Sequence, residues 1–256
     1  VPKIQNKFRI ISNKKVCQRF HRLCLDAKAI AKNVRPGQFI HIRVSDGITP
    51  LFRRPFSVFR ARKGIEILYE TVGRGTEILA SRKSGEYLDV LGPLGNSFSM
   101  PPKGTRRVVM IGGGVGVAPM LALSDALAKK GYELVLLYGA RTKGHIFKMD
   151  EFKKNGCKVF IATNDGSVGV KGYVSKLFSK IETNPQSTVV YTCGPHPMLA
   201  AVKQFVLENN LRCEVSCEEV MACGLGACLG CSIKTTDGYR TTCHDGPVFD
   251  INKIIF

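Results

Sequence analysis

The run Val108–Ser124, V-V-M-I-G-G-G-V-G-V-A-P-M-L-A-L-S, decides how the middle of this chain folds. Four apolar residues end in a glycine cluster, which reads as a short buried strand followed by a tight turn. Pro119 and the apolar residues after it read as the start of a helix. The run holds 17 residues without a charge, but four glycines and a proline break it. It is therefore read as strand, turn and helix, and not as a membrane span.

Gly112, Gly113, Gly114 and Gly116 occupy the turn, and Gly114-x-Gly116-x-x-Pro119 has the spacing of a dinucleotide-binding loop with proline in the third place. A glycine pattern is weak alone; placed between a strand and a helix it becomes informative. Glycines let the backbone approach a pyrophosphate, and the helix N-terminus offers free N–H groups and a favourable dipole. The bland alternative is a tight turn with no ligand. An acid that would bind a ribose 2′-hydroxyl belongs roughly 20 residues on. The sequence there reads Tyr138-Gly139-Ala140-Arg141-Thr142-Lys143, with no acid. Arg141 suits a 2′-phosphate, an adenine face or open solvent, which leaves NADH against NADPH open.

Outward from this point, strands and helices alternate. Glu133–Gly139, Lys158–Thr163 and Thr188–Gly194 read as strands. Pro119–Gly131, Asp150–Gly156, Val174–Ile181 and His196–Asn210 read as helices. The pattern predicts a parallel-sheet α/β domain over residues 103–212. Ligands of such sheets lie beyond the carboxyl ends of the strands. Cys193, Gly194 and Pro195 are thus candidates for the reactive end of a nicotinamide, although a lone Cys is more often an inert core residue.

On the N-terminal side, residues 1–102 read as an all-β domain closing at a linker, Pro101-Pro102-Lys103-Gly104. Strand patterns recur at Lys7–Ser12, Phe20–Ala27, Gly37–Val44, Pro55–Ala61, Gly64–Val72 and Tyr87–Asn96, with one short helix at Thr76–Arg82. Arg54-Pro55-Phe56-Ser57 opens a strand, and Gly73-Arg74-Gly75-Thr76 precedes the helix. An arginine beside a glycine loop at a helix start suits a phosphate clamp, and Ser57 suits a donor to a flavin ring nitrogen. Taken alone, a basic strand end with a turn explains these residues more often.

On the C-terminal side lies Cys217–Asp245, with Cys223, Cys228, Cys231 and Cys243 spaced C-x4-C-x2-C-x11-C. The first three have the spacing of a plant-type [2Fe–2S] ligand run with a distant fourth cysteine. Gly224, Gly226, Ala227 and Gly230 are small enough to bring backbone N–H groups near cluster sulfides. A structural zinc site usually pairs two C-x2-C elements, and only one is present. Residues 213–256 are read as a small [2Fe–2S] module.

Composition bounds the rest. The 256 residues suit about two domains, and 44% hydrophobic content suffices for a core. Ten cysteines, four on a cluster and six free, point to a reducing cytoplasm. The formal charge of +18 raises nucleic acid or membrane as partners. The basic residues are spread along the chain, however, without a block or an RNA-module signature. A solvated basic surface is the preferred reading, with no nucleic acid and no membrane as partners.

R-P-F-S at 54–57, G-R-G-T at 73–76, G-G-G-V-G-V-A-P at 112–119 and C-G-P-H-P-M at 193–198 resemble, in that order, the ferredoxin–NADP reductase superfamily. M-A-C-G-L-G-A-C-L-G-C at 221–231 with C-H-D-G-P-V-F at 243–249 resembles the electron-transfer subunit of B-type dihydroorotate dehydrogenase. The resemblance covers essentially the whole chain. It implies a multidomain β plus α/β fold: an antiparallel β-barrel for FAD, a parallel-sheet domain for NAD(H) and a [2Fe–2S] module.

By motif match it implies that Arg54, Pro55, Phe56 and Ser57 contact the flavin and its phosphates. Leu68, Tyr69 and Glu70 would line the ring or ribityl region, and Gly75 and Thr76 the pyrophosphate. Glu218 also fits the family pattern, with its role left open. No residue is called catalytic. The implied function is a relay from NAD(H) through FAD and the cluster to the FMN of a partner subunit that oxidises dihydroorotate to orotate, in a heterotetramer of two of each. The alternative is a related FAD/[2Fe–2S] reductase subunit serving an oxygenase, a sulfide dehydrogenase or a ferredoxin:NAD(P) oxidoreductase. A basic binding protein with a structural metal is the rival from another class.

Overall fold

The computed structural model describes residues 2–147 and 149–256. The N-terminal part contains β1 (Ile4–Lys15), β2 (Phe20–Leu25), α1 (Lys28–Ala31), β3 (Phe39–Arg43), β4 (Arg54–Ala61), β5 (Ile65–Glu70), α2 (Arg74–Ser81) and β6 (Tyr87–Leu94). The six strands close into an antiparallel barrel in the order β1-β2-β5-β4-β3-β6. Closure follows from side-chain alternation: Ile10, Leu23, Leu25, Ile40, Ile42, Val58, Ile65, Ile67, Leu88 and Val90 form one interior cluster. Register shifts at Ile10/Ser12, Phe39/His41 and Val58/Arg60 supply the local bends that a small barrel needs. The expected all-β domain is thus a barrel, with β1 longer than its apolar pattern suggested. The added ends, with Gln5 and Asn6 before and Lys14 and Lys15 after the apolar run, are exposed polar residues that carry no strand signal.

The second part contains β7 (Arg107–Gly113), a 3₁₀ turn (Gly114–Gly116), α3 (Val117–Leu127), β8 (Glu133–Ala140), α4 (Asp150–Lys154), β9 (Lys158–Thr163), β10 (Val170–Lys171), β11 (Thr188–Cys193), α5 (His196–Glu208) and β12 (Arg212–Ser216). After it come β13 (Ser232–Thr235), β14 (Gly238–Thr241) and β15 (Val248–Asp250). One sheet runs β10-β9-β8-β7-β11-β12-β15 and is parallel except for β15, which is antiparallel to β12. Its central strands, β7, β8 and β11, are buried on both faces. Val108 and Met110 of β7 join a cluster on one side, and Val109 and Ile111 join a cluster on the other.

Two sequence expectations change here. Val174–Lys180 is a 3₁₀ helix and not an α-helix. The cysteine region is not detached from the sheet: β12 opens before it and β15 returns to pair with β12, so a boundary at 212/213 cuts through a sheet strand. Strands β13 and β14 form a separate hairpin.

The two parts share packing. Phe20, Phe59 and Leu68 of the barrel belong to the same cluster as Leu121 and Met120 of α3, which packs on β4. Beside this seam, Arg60 is buried and forms an ion pair with Asp125 at 2.6 Å and another with Glu151. Arg22 pairs with Glu151 and Glu66. Burial pushes the Asp125 carboxyl up, but hydrogen bonds from Arg60 and Asn155 and nearby positive charge outweigh it and hold it below its ordinary value.

Candidate functional site

The strand order reverses between β7 and β11: β8, β9 and β10 lie to one side, β12 and β15 to the other. A crevice beyond the carboxyl ends of the strands is expected at such a switch point. Gly112 of β7 stands beside Cys193 of β11 in register, so the glycine turn and Cys193–Pro195 meet there.

The glycines serve different ends. A Cβ at Gly116 would lie 2.4 Å from the Cys193 carbonyl oxygen, and one at Gly113 would lie 2.6 Å from Met198 Sδ. A Cβ at Gly112 would press the Val117 backbone at 3.1 Å. These three positions are glycine because protein fills the space. Gly114 has φ +55° and its outer side is open, which makes it the position free to face a ligand. Arg141 is exposed just past the end of β8.

A cavity of about 870 Å³ opens between barrel and sheet. Arg54, Pro55, Phe56 and Ser57 of β4, Leu68, Tyr69 and Glu70 of β5, and Thr76 of α2 line its barrel wall. Gly75 does not line it but backs it: a Cβ there would stand 2.9 Å from Arg54 Nε. The Thr76 hydroxyl accepts from the Val72 and Gly73 backbone N–H groups at 2.9 and 3.2 Å, tightening the turn that starts α2. The first N–H groups of such a helix have no partner within it. Tyr69 donates to Asn13 Oδ1 at 2.9 Å, and burial pushes its hydroxyl up to about 12. It therefore stays a neutral, rigid wall, with Phe56 edge-on at 5.7 Å.

Val115 and Ala118 at the glycine turn and His196 at the start of α5 form a second wall. Ser216, Cys217, Glu218, Met221 and Pro247 form a third. The sequence-predicted nucleotide residues Gly112, Gly113, Gly114, Gly116, Cys193, Gly194 and Pro195 lie behind or beside these walls, not on the cavity surface. Glu218 joins the two regions, with Cys193 Sγ at 3.7 Å from its Oε1. Burial pushes the Glu218 carboxyl up, partly offset by the Cys193 contact. Burial, with the charge of Glu218 next, pushes the Cys193 thiol well up. Phe39, Phe52, His196 and Met221 were missed as cavity residues. His196 and Met221 sit inside motifs already recognised, whereas single aromatics in a β pattern carry no such signal.

The four motif cysteines lie together on the third wall's far side. Cys231 and Cys243 are buried with Met221 against Phe39, Leu91 and Leu94 of the barrel; Cys223 is half-buried and Cys228 exposed. Among the described residues, no three His, Cys, Asp or Glu side chains converge on a single-ion position. The thiols interact chiefly as Cys223 with Cys228 and Cys231 with Cys243, and Cys223 also lies near Cys243. Two pairs suit a two-iron centre, in which each iron takes two protein ligands, better than one zinc ion.

Backbone donors already point at sulfur: Leu225 N–H to Cys223 Sγ at 3.4 Å and Gly226 N–H to Cys243 Sγ at 3.1 Å. Burial pushes Cys223 up, but N–H groups of Leu225, Cys228 and Ala227 outweigh it and bring the thiol down to about 6. Gly224 and Gly226 make this possible with φ +71° and +87°.

Comparison with known proteins places these features in context. Residues 218–255 match the family described as the iron–sulfur cluster binding domain of dihydroorotate dehydrogenase B, and residues 110–204 match the oxidoreductase NAD-binding domain. A dihydroorotate dehydrogenase B (NAD(+)) electron transfer subunit from Geobacillus sp. (strain WCH70) is 36% identical over 258 residues, spanning 98% of each chain. The protein of the same description from Lysinibacillus sphaericus (strain C3-41) is 38% identical over 96% of each chain. The solved structure of an NADH-dependent reduced ferredoxin-NADP oxidoreductase, studied for flavin-based electron bifurcation, superposes with a TM-score of 0.86 at 28% identity. It covers 97% of this chain and 89% of that one.

Proposed function

This chain belongs to the electron transfer subunits of dihydroorotate dehydrogenase B, and from that membership we propose what each part of its site does. It is an oxidoreductase subunit of pyrimidine biosynthesis that relays electrons, with FAD, a [2Fe–2S] cluster and NAD(H) as its redox groups. A flavin supplies the exchange between the two-electron hydride chemistry of a nicotinamide and the one-electron chemistry of a cluster.

The observation that carries the assignment is the three-walled cavity: barrel strands, the glycine-turn region and the cysteine module all border it. FAD fits there, with Arg54, Gly75 and Thr76 at its pyrophosphate and Pro55, Phe56, Ser57, Leu68, Tyr69 and Glu70 along flavin and ribityl. NAD(H) approaches by Gly112, Gly113, Gly114 and Gly116, with Cys193, Gly194 and Pro195 near its nicotinamide end. Cys223 and Cys228 take one iron, Cys231 and Cys243 the other. The working division remains 1–102 for FAD, 103–212 for NAD(H) and 213–256 for the cluster, with β12 and β15 tying the last two together.

The partner is a catalytic subunit carrying FMN, in an assembly of two of each, working in the cytoplasm. No helix among the described residues is long and apolar enough to cross a membrane. The test is reconstitution. The chain, loaded with FAD and iron, should confer dihydroorotate-dependent NAD(+) reduction on an FMN-containing dihydroorotate dehydrogenase. No coupling, together with efficient exchange with reduced ferredoxin, would establish the second reading, which the superposition with the ferredoxin-NADP oxidoreductase favours.

A further inference from the structure

Strand β3, F-I-H-I-R, separates the cavity wall from the cysteine module. Its Ile40 and Ile42 point into the barrel core. Its alternate residues, Phe39 and His41, point outward. Phe39 packs on Met221, Cys231 and Cys243 and borders the cavity. His41 is fully buried beneath the turn at Cys223–Gly224: a Cβ on Gly224 would stand 2.5 Å from His41 Nδ1. On its strand side His41 pairs with Pro55, inside the Arg54–Ser57 segment of the cavity wall.

Neither ring nitrogen of His41 makes a hydrogen bond of good geometry, although backbone carbonyls of Cys223 and Arg53 lie close. A neutral imidazole carries one N–H and one lone pair. An unpaired buried polar ring is costly, and an apolar side chain of similar size would avoid the cost. Retention of the ring here calls for a role beyond filling space.

We propose that His41 is a positioning residue for the cluster. Its imidazole sets the height of the Cys223–Gly224 turn above β3, and its N–H dipole lies on the Cys223 side of the centre, so that the ring helps set the cluster's reduction potential. Hydrogen bonding and dipoles around the sulfurs are what tune such centres. The proposal rests on the reading of the four cysteines as ligands. The two fail differently: a wild-type chain that binds no iron removes that reading, whereas the His41 experiment uses only chains with full iron and FAD.

The experiment is a redox titration of the purified holoprotein, followed by the electron paramagnetic resonance signal of the reduced cluster. His41→Leu is expected to change the one-electron reduction equilibrium about tenfold, ~59 mV, with altered signal anisotropy. FAD content and NADH reduction of the flavin should be unchanged. His41→Gln, which restores a polar N–H, should recover part of the shift. Gly224→Ala, which pushes the turn off the ring, should shift the potential in wild type but much less in the His41→Leu background. A wild-type potential and signal in His41→Leu would overturn the proposal. So would equal shifts by Gly224→Ala in both backgrounds, or the same loss of FAD and iron in both His41 variants.

Discussion

The glycine turn at Gly112–Gly116 and the glycine-rich loop at Gly224–Gly230 look alike in sequence but are glycine-rich for different reasons. In the first, Gly112, Gly113 and Gly116 are pressed by Val117, Met198 and the Cys193 carbonyl; only Gly114 has a left-handed φ with open space beside it. In the second, Gly224 and Gly226 are left-handed and pressed by His41 and His244, while Gly230 meets only Cys228 Sγ at 3.7 Å. The first loop is shaped by how closely a helix must enter between two parallel strands. The second is shaped by the need to turn backbone N–H groups toward sulfur. A glycine run alone therefore does not say whether ligand, packing or backbone curvature requires it.

Substitutions can break this contrast, and the largest effect should come from Gly116→Ala. Its Cβ meets backbone, which cannot swing away, so a loss of roughly 3 kcal/mol is expected. Thermal denaturation should show a Tm lower by about 10 °C. An unchanged Tm would mean that the β11 end is soft and that the packing explanation is wrong.

Cys228→Ala comes next and separates the loops by function. It removes an exposed member of one thiol pair. Electron delivery to the partner should fall below detection while NADH reduction of FAD keeps its rate, as read by stopped-flow flavin absorbance. Equal loss of both would make the cysteine loop a structural support for the flavin cavity.

Gly224→Ala and Gly230→Ala form a sharper pair. The first should lower stability by roughly 2 kcal/mol through left-handed strain and the His41 contact, while still loading iron in full. The second should leave iron content unchanged and stability within about 0.5 kcal/mol of wild type, as an open surface position allows. Iron analysis beside calorimetry checks both; similar losses would mean that the cluster, not the backbone, demands every glycine.

Gly114→Ala should cost only roughly 1 kcal/mol of stability, from its φ. It should nevertheless raise KM for NADH several-fold, because its open side lies at the turn after β7, where the strand order reverses. An unchanged KM would place the pyrophosphate elsewhere.

Much of this was legible before any coordinates. The barrel strands announced themselves through β-branched and aromatic runs between turns, and the α/β alternation through buried four-residue strands followed by amphipathic helices. The C-x4-C-x2-C spacing carried the cluster chemistry. Less was legible where the signal is non-local. The hairpin β13–β14 is half exposed and has no apolar pattern. Arg60 looked like one more surface cation but is buried between two carboxylates from the other part of the molecule. His41 looked like an ordinary strand residue.

By itself, the sequence determined the barrel strands, the α/β alternation, the spacing of the cysteines and that nucleotide and iron–sulfur chemistry share one chain. These depend on short-range periodicity and spacing, which each segment carries alone. Tertiary structure decided that β15 returns to the sheet, that the thiols form two pairs, and that three distant segments wall one cavity. It also decided which glycine in each loop is held by conformation and which by contact. Those outcomes depend on what another segment places within a few ångströms, and spacing along the chain holds no record of that.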